Sequence, residues 1–331
     1  CHCGYFGGTC VSKTAVCEVR DPFSGLLPKP LWLEGLPPLP QMPDGLPKQS
    51  AVVVIGSGYT GLNAAIETAR AGRSPLVIDA ETPGWGCSTR NGGQISTSVN
   101  PSLARLTAKY GSKAAREIRR EGETALEWIE ERIDTEGIAC DFRRVGRFHA
   151  AHSHASYETL CHQAETLGRT EGIEAHPVPR AEQYSELGTD SYFGGVVFPR
   201  HASLQPARYH RGLLDAALRA GAKVVGNCEA LAIERQTDGF TVRTTRGPIA
   251  ARDVIVATNG YSGPLLPWAQ QRVIPIGSYM IATEPLPREL VDRLFPKDRI
   301  ASDTCKVVYY YRASPDRTRV IFGGRVSATE Q

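Results

Sequence analysis

The chain reads AVVVIGSGYTG at residues 51–61, and this stretch decides the fold. Residues 51–55 form a short β-branched apolar run that ends at glycine, which is typical of a buried parallel strand. Beyond the glycines, apolar residues recur at helical spacing up to Gly72, which stands where helices commonly end. A second apolar run, LVID, follows at residues 76–79. The order strand, helix, strand predicts a βαβ unit.

The three glycines of this unit have the spacing of a phosphate-binding turn. Gly56 permits the tight turn, Gly58 lets the backbone approach a pyrophosphate, and Gly61 lets the helix pack near the strand. The free N–H groups at the start of the helix can hold phosphate charge. At the end of the second strand, Asp79 can accept hydrogen bonds from ribose hydroxyls. The motif alone also fits a turn without a ligand, but motif, strands and acid together predict a bound dinucleotide.

A polar, glycine-rich loop comes directly after the βαβ unit, with the sequence PGWGCSTRNGGQ at residues 83–94. Such a loop suits close approach of the backbone to a flat ring, and Ser88 and Arg90 are available to phosphate or flavin oxygens. On these residues alone, a flexible surface loop is the alternative.

Three segments resemble the D-amino-acid-oxidase family of flavoproteins, namely residues 53–61, 84–94 and 257–261. The block SxRNGGQ at residues 88–94 is more specific than the glycine motif. A preceding segment, LWLEGLPPLP at residues 31–40, is similar to the γ-glutamylputrescine oxidoreductases within that family. The resemblance extends over about residues 31 to 331.

The resemblance implies that FAD is the cofactor. Cys87 and the other cysteines offer no specific pattern for a covalent link, so the flavin is expected to be bound without one. It places Asp79 on the adenosine ribose and gives Ala230 backbone contacts to adenine, although Ala230 also fits a plain buried strand position. The residues expected around the pyrophosphate are Gly56, Ser57, Gly58, Thr60 and Gly61. The residues expected near the pyrophosphate and isoalloxazine are Ser88, Thr89, Arg90, Asn91, Gly92, Gly93 and Gln94.

The resemblance also implies the reaction. In this family the flavin accepts a hydride from the carbon that bears an amine, the imine hydrolyses, and oxygen usually reoxidises the flavin. No dedicated base is required, so the candidates in the second domain are substrate ligands. Tyr279 and Arg312 are predicted in this role, since Arg312 offers a bidentate fork to a carboxylate. Packing for the tyrosine and a surface ion pair for the arginine are the alternatives.

The expected function is therefore oxidation of a C–N bond in a small-molecule amine, such as γ-glutamylputrescine, a related polyamine or an amino acid. Two alternatives stay open. One is an FAD dehydrogenase that passes electrons to a quinone or a protein, and the other is a fragment that binds nucleotide without turnover. Family members continue through another helix and a glycine-rich segment, so the chain is expected to be a fragment that lacks the carboxyl-terminal FAD segment.

The expected fold class is α/β, with a Rossmann-like FAD-binding domain interleaved with a substrate domain on a mixed, largely antiparallel sheet. Residues 1–48 form a leader and a Pro-rich arm. Residues 49–105 and 198–264 form the FAD-binding domain, and residues 106–197 and 265–331 form the substrate domain.

The composition excludes several other classes. With 331 residues and a net charge of +3 spread along the chain, no nucleic-acid surface is expected. The apolar runs have the length of strands, so no membrane span is expected, and the cytoplasm is the default location. The sequence does not predict an oligomeric state.

Two groups of possible metal ligands stand outside these motifs. Cys1, Cys3, Cys10 and Cys17 crowd the first residues with His2, but they lack paired CxxC spacing, so a poorly ordered or non-native leader is preferred to a zinc site. The remaining five of the nine cysteines are scattered, as in reduced proteins. The histidines at positions 149, 152 and 154 are expected in a solvated loop or strand edge. No metal is predicted.

Overall fold

The structure is a computed structural model that describes residue 27, residues 29–42 and residues 44–325. The amino-terminal cysteines and His2 lie outside the described residues. The strands are β1 (Gln49–Ile55), β2 (Pro75–Ile78), β3 (Gln94–Ile95), β4 (Arg147–Ala150), β5 (His176–Pro179), β6 (Gly194–Phe198), β7 (Ala202–Ser203), β8 (Lys223–Val225), β9 (Ala230–Gln236), β10 (Gly239–Thr244), β11 (Gly247–Val256), β12 (Ser278–Ala282), β13 (Ile300–Asp303), β14 (Tyr309–Ala313) and β15 (Val320–Arg325). The helices are α1 (Tyr59–Arg70), α2 (Leu103–Glu136), α3 (His154–Glu171), α4 (Pro206–Arg219), α5 (Pro267–Gln270) and α6 (Arg288–Leu294).

The first sheet has six strands in the order β8-β2-β1-β11-β10-β9. Strands β8, β2, β1 and β11 are parallel, whereas β11, β10 and β9 pair antiparallel. Val52 and Val54 pack with residues of α1 and α4 on one side, while Val53 and Ile55 enter a second apolar cluster on the other. Because both sides of β1 are buried, its sequence is continuously apolar rather than alternating.

The second sheet has seven strands in the order β12-β15-β14-β13-β4-β6-β5. Strands β4 and β13 are parallel, and the other neighbouring pairs are antiparallel. The expected α/β fold class, with a Rossmann-like sheet and a mixed, largely antiparallel second sheet, is confirmed. Strands of the two sheets alternate along the chain in blocks: β1 and β2, then β4 to β6, then β8 to β11, then β12 to β15.

One face of the second sheet is directed at the first domain, and we call it the inner face. It carries Met280, Tyr310 and Ile321. Side chains alternate along a strand, and residues paired across neighbouring strands share a face. Gly323 pairs with both Met280 and Tyr310, and Arg312 pairs with Ile321. Ile321 packs with Trp32 and with Ala207 of α4. The opposite, outer face packs Phe148, Ala301 and Ala313 against Val291 and Phe295 at α6.

Several elements have local irregularities. Gly111 interrupts the helical backbone of α2, with φ 81° and ψ 161°. The short helix α5 precedes β12 in the chain. Strand β11 is the longest strand of the first sheet, and β10 turns back near Gly247 and pairs with its first half. Strands β4, β6 and β13 are only four or five residues long.

Among the residues that the structure describes, none of the helices combines the length and the apolar character needed to cross a bilayer.

Candidate functional site

The glycine turn between β1 and α1 has almost no room for side chains. Gly56 has φ +104°, and a Cβ at Gly61 would lie 1.8 Å from the carbonyl oxygen of Gly56. A Cβ at Gly58 would lie 2.9 Å from Ser88 Oγ. The first contact fixes how closely α1 approaches β1, and the second keeps the backbone of the turn open to the neighbouring loop.

Asp79 is held at the carboxyl end of β2 by the turn itself. Its Oδ2 accepts hydrogen bonds from the backbone N of Ser57 at 2.7 Å and from Ser57 Oγ at 2.5 Å. Its Oδ1 accepts a bond from the backbone N of Glu81 at 3.1 Å. The carboxylate is therefore preoriented beside the glycine turn before any ligand arrives.

Hydrogen bonds organise the loop at residues 83–94 into a compact unit. Ser88 Oγ accepts from the backbone N of Tyr59 at 3.2 Å, which joins the loop to the start of α1. Thr89 is buried and donates to the carbonyl of Gly84 at 2.6 Å. Asn91 donates to the carbonyl of Ser88 and accepts from the backbone N of Gly93 at 2.8 Å. This bonding differs from the flexible loop that the sequence left as an alternative.

The end of this loop lies against the second sheet. A Cβ at Gly93, which has φ +61°, would lie 2.2 Å from the carbonyl oxygen of Leu204. A Cβ at Gly92 would lie 3.4 Å from both Tyr310 and Met280. Gln94 donates from Nε2 to the carbonyl of Tyr311 at 3.3 Å. The glycines therefore keep a narrow space between the loop and the inner face.

A cleft of about 520 Å³ opens at the carboxyl ends of β1, β2 and β11. This volume is in the usual range for small-molecule and cofactor sites. The predicted cofactor residues that line it are Gly56, Gly58, Thr60, Asp79, Ser88, Asn91 and Ala230. The structure thus brings together positions from the glycine turn, the second strand, the loop and β9.

Other predicted cofactor residues lie behind the cleft or beside it. Ser57 and Thr89 are buried supports, and Gly61 packs α1 against β1. Arg90 Nε donates to the carbonyl of Trp85 at 2.6 Å, and its guanidinium lies 4.9 Å from the centre of that ring. Arg90 is therefore turned back onto its own loop.

The two residues predicted to bind substrate lie on opposite faces of the second sheet. Tyr279 is 63% exposed and lies on the outer face, because it alternates with Met280 along β12. Arg312 is 2% exposed, and its Nη1 donates to the carbonyls of Gly93 and Leu204, both at 2.9 Å. Arg312 therefore ties β14 to the loop, and substrate binding by either residue stays a prediction.

Two further residues hold the site together and were missed. His210 on α4 is buried; its Nε2 donates to the carbonyl of Ser57 at 2.8 Å, and burial lowers its pKa. Trp32, 5% exposed, donates from Nε1 to the carbonyl of Asn91 at 2.8 Å. Gln205 Nε2 in turn donates to the carbonyl of Trp32 at 2.7 Å. Only the resemblance at residues 31–40 gave any signal of Trp32.

The histidine prediction was wrong for His149. This residue lies in β4, an interior strand of the second sheet, and its Nδ1 is 2.9 Å from Ser302 Oγ. In the described part of the chain, no three His, Cys, Asp or Glu side chains are grouped as metal ligands. Cys87 is an exposed free thiol at the cleft.

The residues of the cleft fit the adenosine and pyrophosphate of a dinucleotide. Glycines stand where a Cβ would close the turn, α1 begins directly after Gly58, and Asp79 lies beside the turn at the end of β2. The arrangement therefore has the shape and the donor set that FAD needs.

Several known oxidoreductases are similar to this chain in sequence. The chain is 33% identical over 281 residues to gamma-glutamylputrescine oxidoreductase from Escherichia coli K12, covering 83% of this chain and 64% of that enzyme. It is 31% identical over 294 residues to the probable oxidoreductase OrdL from Rhizobium meliloti, covering 88% of this chain and 67% of that protein. The chain thus spans about two thirds of the length of these relatives.

Solved structures agree on the fold. L-proline dehydrogenase from P. horikoshii superposes with a TM-score of 0.68 at 20% identity, covering 86% of this chain and 73% of the other. Glycine oxidase from Geobacillus kaustophilus gives a TM-score of 0.65 at 17% identity with the same coverage. Residues 51–330 also match the family described as DAO, FAD dependent oxidoreductase. The chain therefore belongs to the DAO family of FAD-dependent oxidoreductases.

Proposed function

We propose that this protein uses FAD to oxidise the C–N bond of an amine and that γ-glutamylputrescine is its substrate. The observation that carries the proposal is the narrow space between Gly92 and the inner face, where a Cβ on Gly92 would lie 3.4 Å from both Tyr310 and Met280. This space adjoins the cleft through Asn91. The 33% identity to gamma-glutamylputrescine oxidoreductase supports the choice of amine.

Each part of the site has a separate task in this proposal. The turn at Gly56, Gly58 and Gly61 receives the pyrophosphate, and Asp79 accepts hydrogen bonds from the ribose. When bound, FAD supplies the acceptor for a hydride from the carbon that bears the amine. The loop and the inner face position that carbon and exclude water from it.

Tyr310 supplies a polar group on the inner face beside Gly92. Its hydroxyl is 2.7 Å from Ser278 Oγ, and a Cβ on Gly323 would lie 2.4 Å from its ring. The ring therefore lies over Gly323, where a larger residue would leave no room for it. We assign Tyr310 to the wall of the substrate site, where its ring packs against the aliphatic part of an amine.

The test is the visible spectrum of the purified chain with and without γ-glutamylputrescine in the absence of oxygen. Flavin bands that bleach on addition of this amine support both cofactor and substrate. Bands that persist with this amine but bleach with another would move the proposal to that substrate. A colourless protein that cannot be reconstituted with FAD would contradict the proposal.

We also propose that oxygen reoxidises the enzyme and that FAD is bound without a covalent bond. Turnover in air should release hydrogen peroxide in a 1:1 ratio to amine consumed, measured with a peroxidase-coupled dye. Turnover that needs a quinone or a protein acceptor would contradict the first point. Acid precipitation should release the flavin into the supernatant, both from the wild type and from Cys87→Ala.

A further inference from the structure

A second polar cluster lies on the inner face, beyond the cleft. It contains Arg147 and His149 of β4, His201 before β7, Thr97 after β3, and Ser302 of β13. Arg147 and His149 are on the inner face because Phe148, which alternates with them, enters the outer core. The cluster is therefore on the same side of the sheet as Met280 and Tyr310.

The hydrogen bonds of this cluster leave two buried nitrogen atoms without partners among the described residues. His149 Nδ1 pairs with Ser302 Oγ at 2.9 Å, and His201 Nε2 pairs with Thr97 Oγ1 at 3.3 Å. Arg147 Nε and His201 Nδ1 are buried and have no partner among the described residues. Buried polar atoms are nearly always satisfied, so a group that the chain does not supply is expected here.

Arg147 has no counter-ion in the part of the chain that the structure describes. Its guanidinium lies 5.0 Å from the centre of the Phe198 ring, and Phe198 also stacks on His201 at 5.5 Å. The carboxylate of β13 belongs to Asp303, which follows Ser302 and therefore lies on the outer face. It accepts a hydrogen bond from the backbone N of Tyr309 at 3.1 Å. A mostly buried guanidinium without an anion is costly, and an anionic ligand would offset that cost.

The cluster is connected to the proposed site of oxidation by sheet register. His149 pairs with Ser302, and Ser302 pairs with Tyr310, which lies against Gly92. Two strand spacings separate β4 from β14, or roughly 10 Å. An extended chain of nine bonds, which links the oxidised carbon of γ-glutamylputrescine to its carboxylate, also spans roughly 10 Å. A substrate laid across the inner face therefore reaches from Gly92 to β4 at His149, and Arg147 lies two residues away on the same strand and the same face.

We propose that Arg147 binds the carboxylate of an amine substrate whose amino-acid end lies across the inner face. The proposal rests on the function proposed above and names the residue that would select γ-glutamylputrescine over amines without a carboxylate. The guanidinium supplies a planar pair of donors that matches the two carboxylate oxygens. His149 and His201 flank it; burial and the positive charge of Arg147 lower the pKa of His149 to about 4 and that of His201 to about 3. Both rings are therefore neutral at pH 7, and Arg147 carries the charge.

The test compares γ-glutamylputrescine with N-acetylputrescine, which keeps the amine and the amide but has no carboxylate. In Arg147→Gln, the KM for γ-glutamylputrescine should rise roughly tenfold to hundredfold, while kcat changes little. The KM for N-acetylputrescine should stay within about twofold, because no contact to that substrate is lost. Arg147→Lys keeps the charge but not the fork, so it should recover part of the affinity.

A matched control is Arg200→Gln. Arg200 is a partly exposed arginine that pairs with Glu123 and Glu127, and its replacement should leave both KM values unchanged. If Arg147→Gln weakens both substrates equally, the residue is structural and the proposal is overturned. If γ-glutamylputrescine is unaffected, the proposal is also overturned.

A binding measurement separates this inference from the proposed function. Titration calorimetry with γ-glutamylethylamide, which has the carboxylate but no putrescine amine, should show binding to the FAD-loaded wild type and at least tenfold weaker binding to Arg147→Gln. Equal binding, or none to the wild type, would overturn the carboxylate site. Failure of both putrescine derivatives to reduce the flavin would instead overturn the proposed function.

Discussion

Arg312 Nη1 donates a hydrogen bond to the carbonyl of Gly93 at 2.9 Å, so a buried cation of the second sheet holds the end of the loop at residues 83–94. The same nitrogen donates to the carbonyl of Leu204 at 2.9 Å, and Nε donates to the carbonyl of Ala313 at 3.1 Å. The residue joins three segments that are distant in sequence. Its burial lowers its pKa to about 10, which still leaves it charged at pH 7.

Replacement of Arg312 should loosen the loop and destabilise the protein. In Arg312→Met, three carbonyls lose a charged donor in a buried site, and we expect a loss of roughly 3 kcal/mol or more in the free energy of unfolding. FAD affinity should fall as well. Urea unfolding and fluorescence titration with FAD measure the two effects. Arg243→Gln, which removes an exposed arginine paired with Glu234, is the control and should be near neutral. Unchanged stability in Arg312→Met would contradict the assigned role.

Asp79→Asn tests the ribose position. The variant removes the charge that orients Ser57 and that is placed for the ribose, so FAD affinity should fall roughly tenfold to hundredfold. The measurement is quenching of FAD fluorescence by the apoprotein. Asp253→Asn is the control, because Asp253 is paired with Arg73 and Arg252 outside the cleft. Equal FAD affinity in Asp79→Asn and wild type would mean that the carboxylate does not contact the cofactor.

Two glycines of the turn between β1 and α1 should respond differently to an added methyl group. Gly61→Ala places Cβ at 1.8 Å from a backbone oxygen that cannot move freely, so a loss of about 3 kcal/mol or more in stability is expected. Gly58→Ala meets the side chain of Ser88, which can rotate, so the fold should survive while FAD binding weakens. Gly45→Ala, with nothing within 4 Å, is the control. Circular dichroism melts and flavin content are the measurements, and a folded, stable Gly61→Ala would contradict the geometry.

His149 should contribute to acid sensitivity. Burial and the nearby Arg147 charge lower its pKa from 6.5 to about 4 in the folded chain, so the unfolded chain binds a proton first as pH falls. The stability that depends on a neutral His149 is therefore fully present above pH 6.5, and it is lost as the pH falls from 6.5 to 4. This loss amounts to about 3 kcal/mol, which His149→Asn should remove.

The measurement is the free energy of unfolding in urea at several pH values across that window. His162→Asn, which replaces an exposed histidine of α3, is the control and should keep the wild-type pH dependence. If the free energy of unfolding of His149→Asn changes with pH as steeply as that of the wild type, protonation of His149 is not the cause of the acid sensitivity.

The sequence was sufficient for those parts of the fold and site that depend on local spacing. The turn from Gly56 to Gly61 and the acid at the end of β2 lie within one βαβ unit, whose pattern is visible in the residues themselves. The contact of His210 with Ser57 spans 153 positions, and a histidine on an amphipathic helix gives no signal of such a partner. The sequence gives no signal for the cluster of Arg147 and His201 either. Both side chains lie against the ring of Phe198, which is brought beside Arg147 when β4 pairs with β6.

In the second domain, the sequence did not show which face of the sheet each residue occupies, and this limited the prediction of the site. In β12 and β14, polar or aromatic residues occupy both faces, so the period of two does not tell which residues face the loop. Tyr279 was therefore predicted at the substrate site, although its neighbour Met280 lies on the inner face. Arg312 lies on the inner face, but the carbonyls that bind it come from residues 93 and 204, which the sequence could not place beside it.

Trp32 lies outside the family match, which begins at residue 51, yet its indole bonds to Asn91 and its carbonyl accepts from Gln205. The family match alone would define a folding unit that omits it. Protein prepared from residue 51 onward would lose the indole that clamps the loop and would bury less apolar surface on Ala207 and Ile321. Expression designs and deletion mapping for relatives of this chain should therefore keep the proline-rich arm, since Trp32 joins it to Asn91 and Gln205.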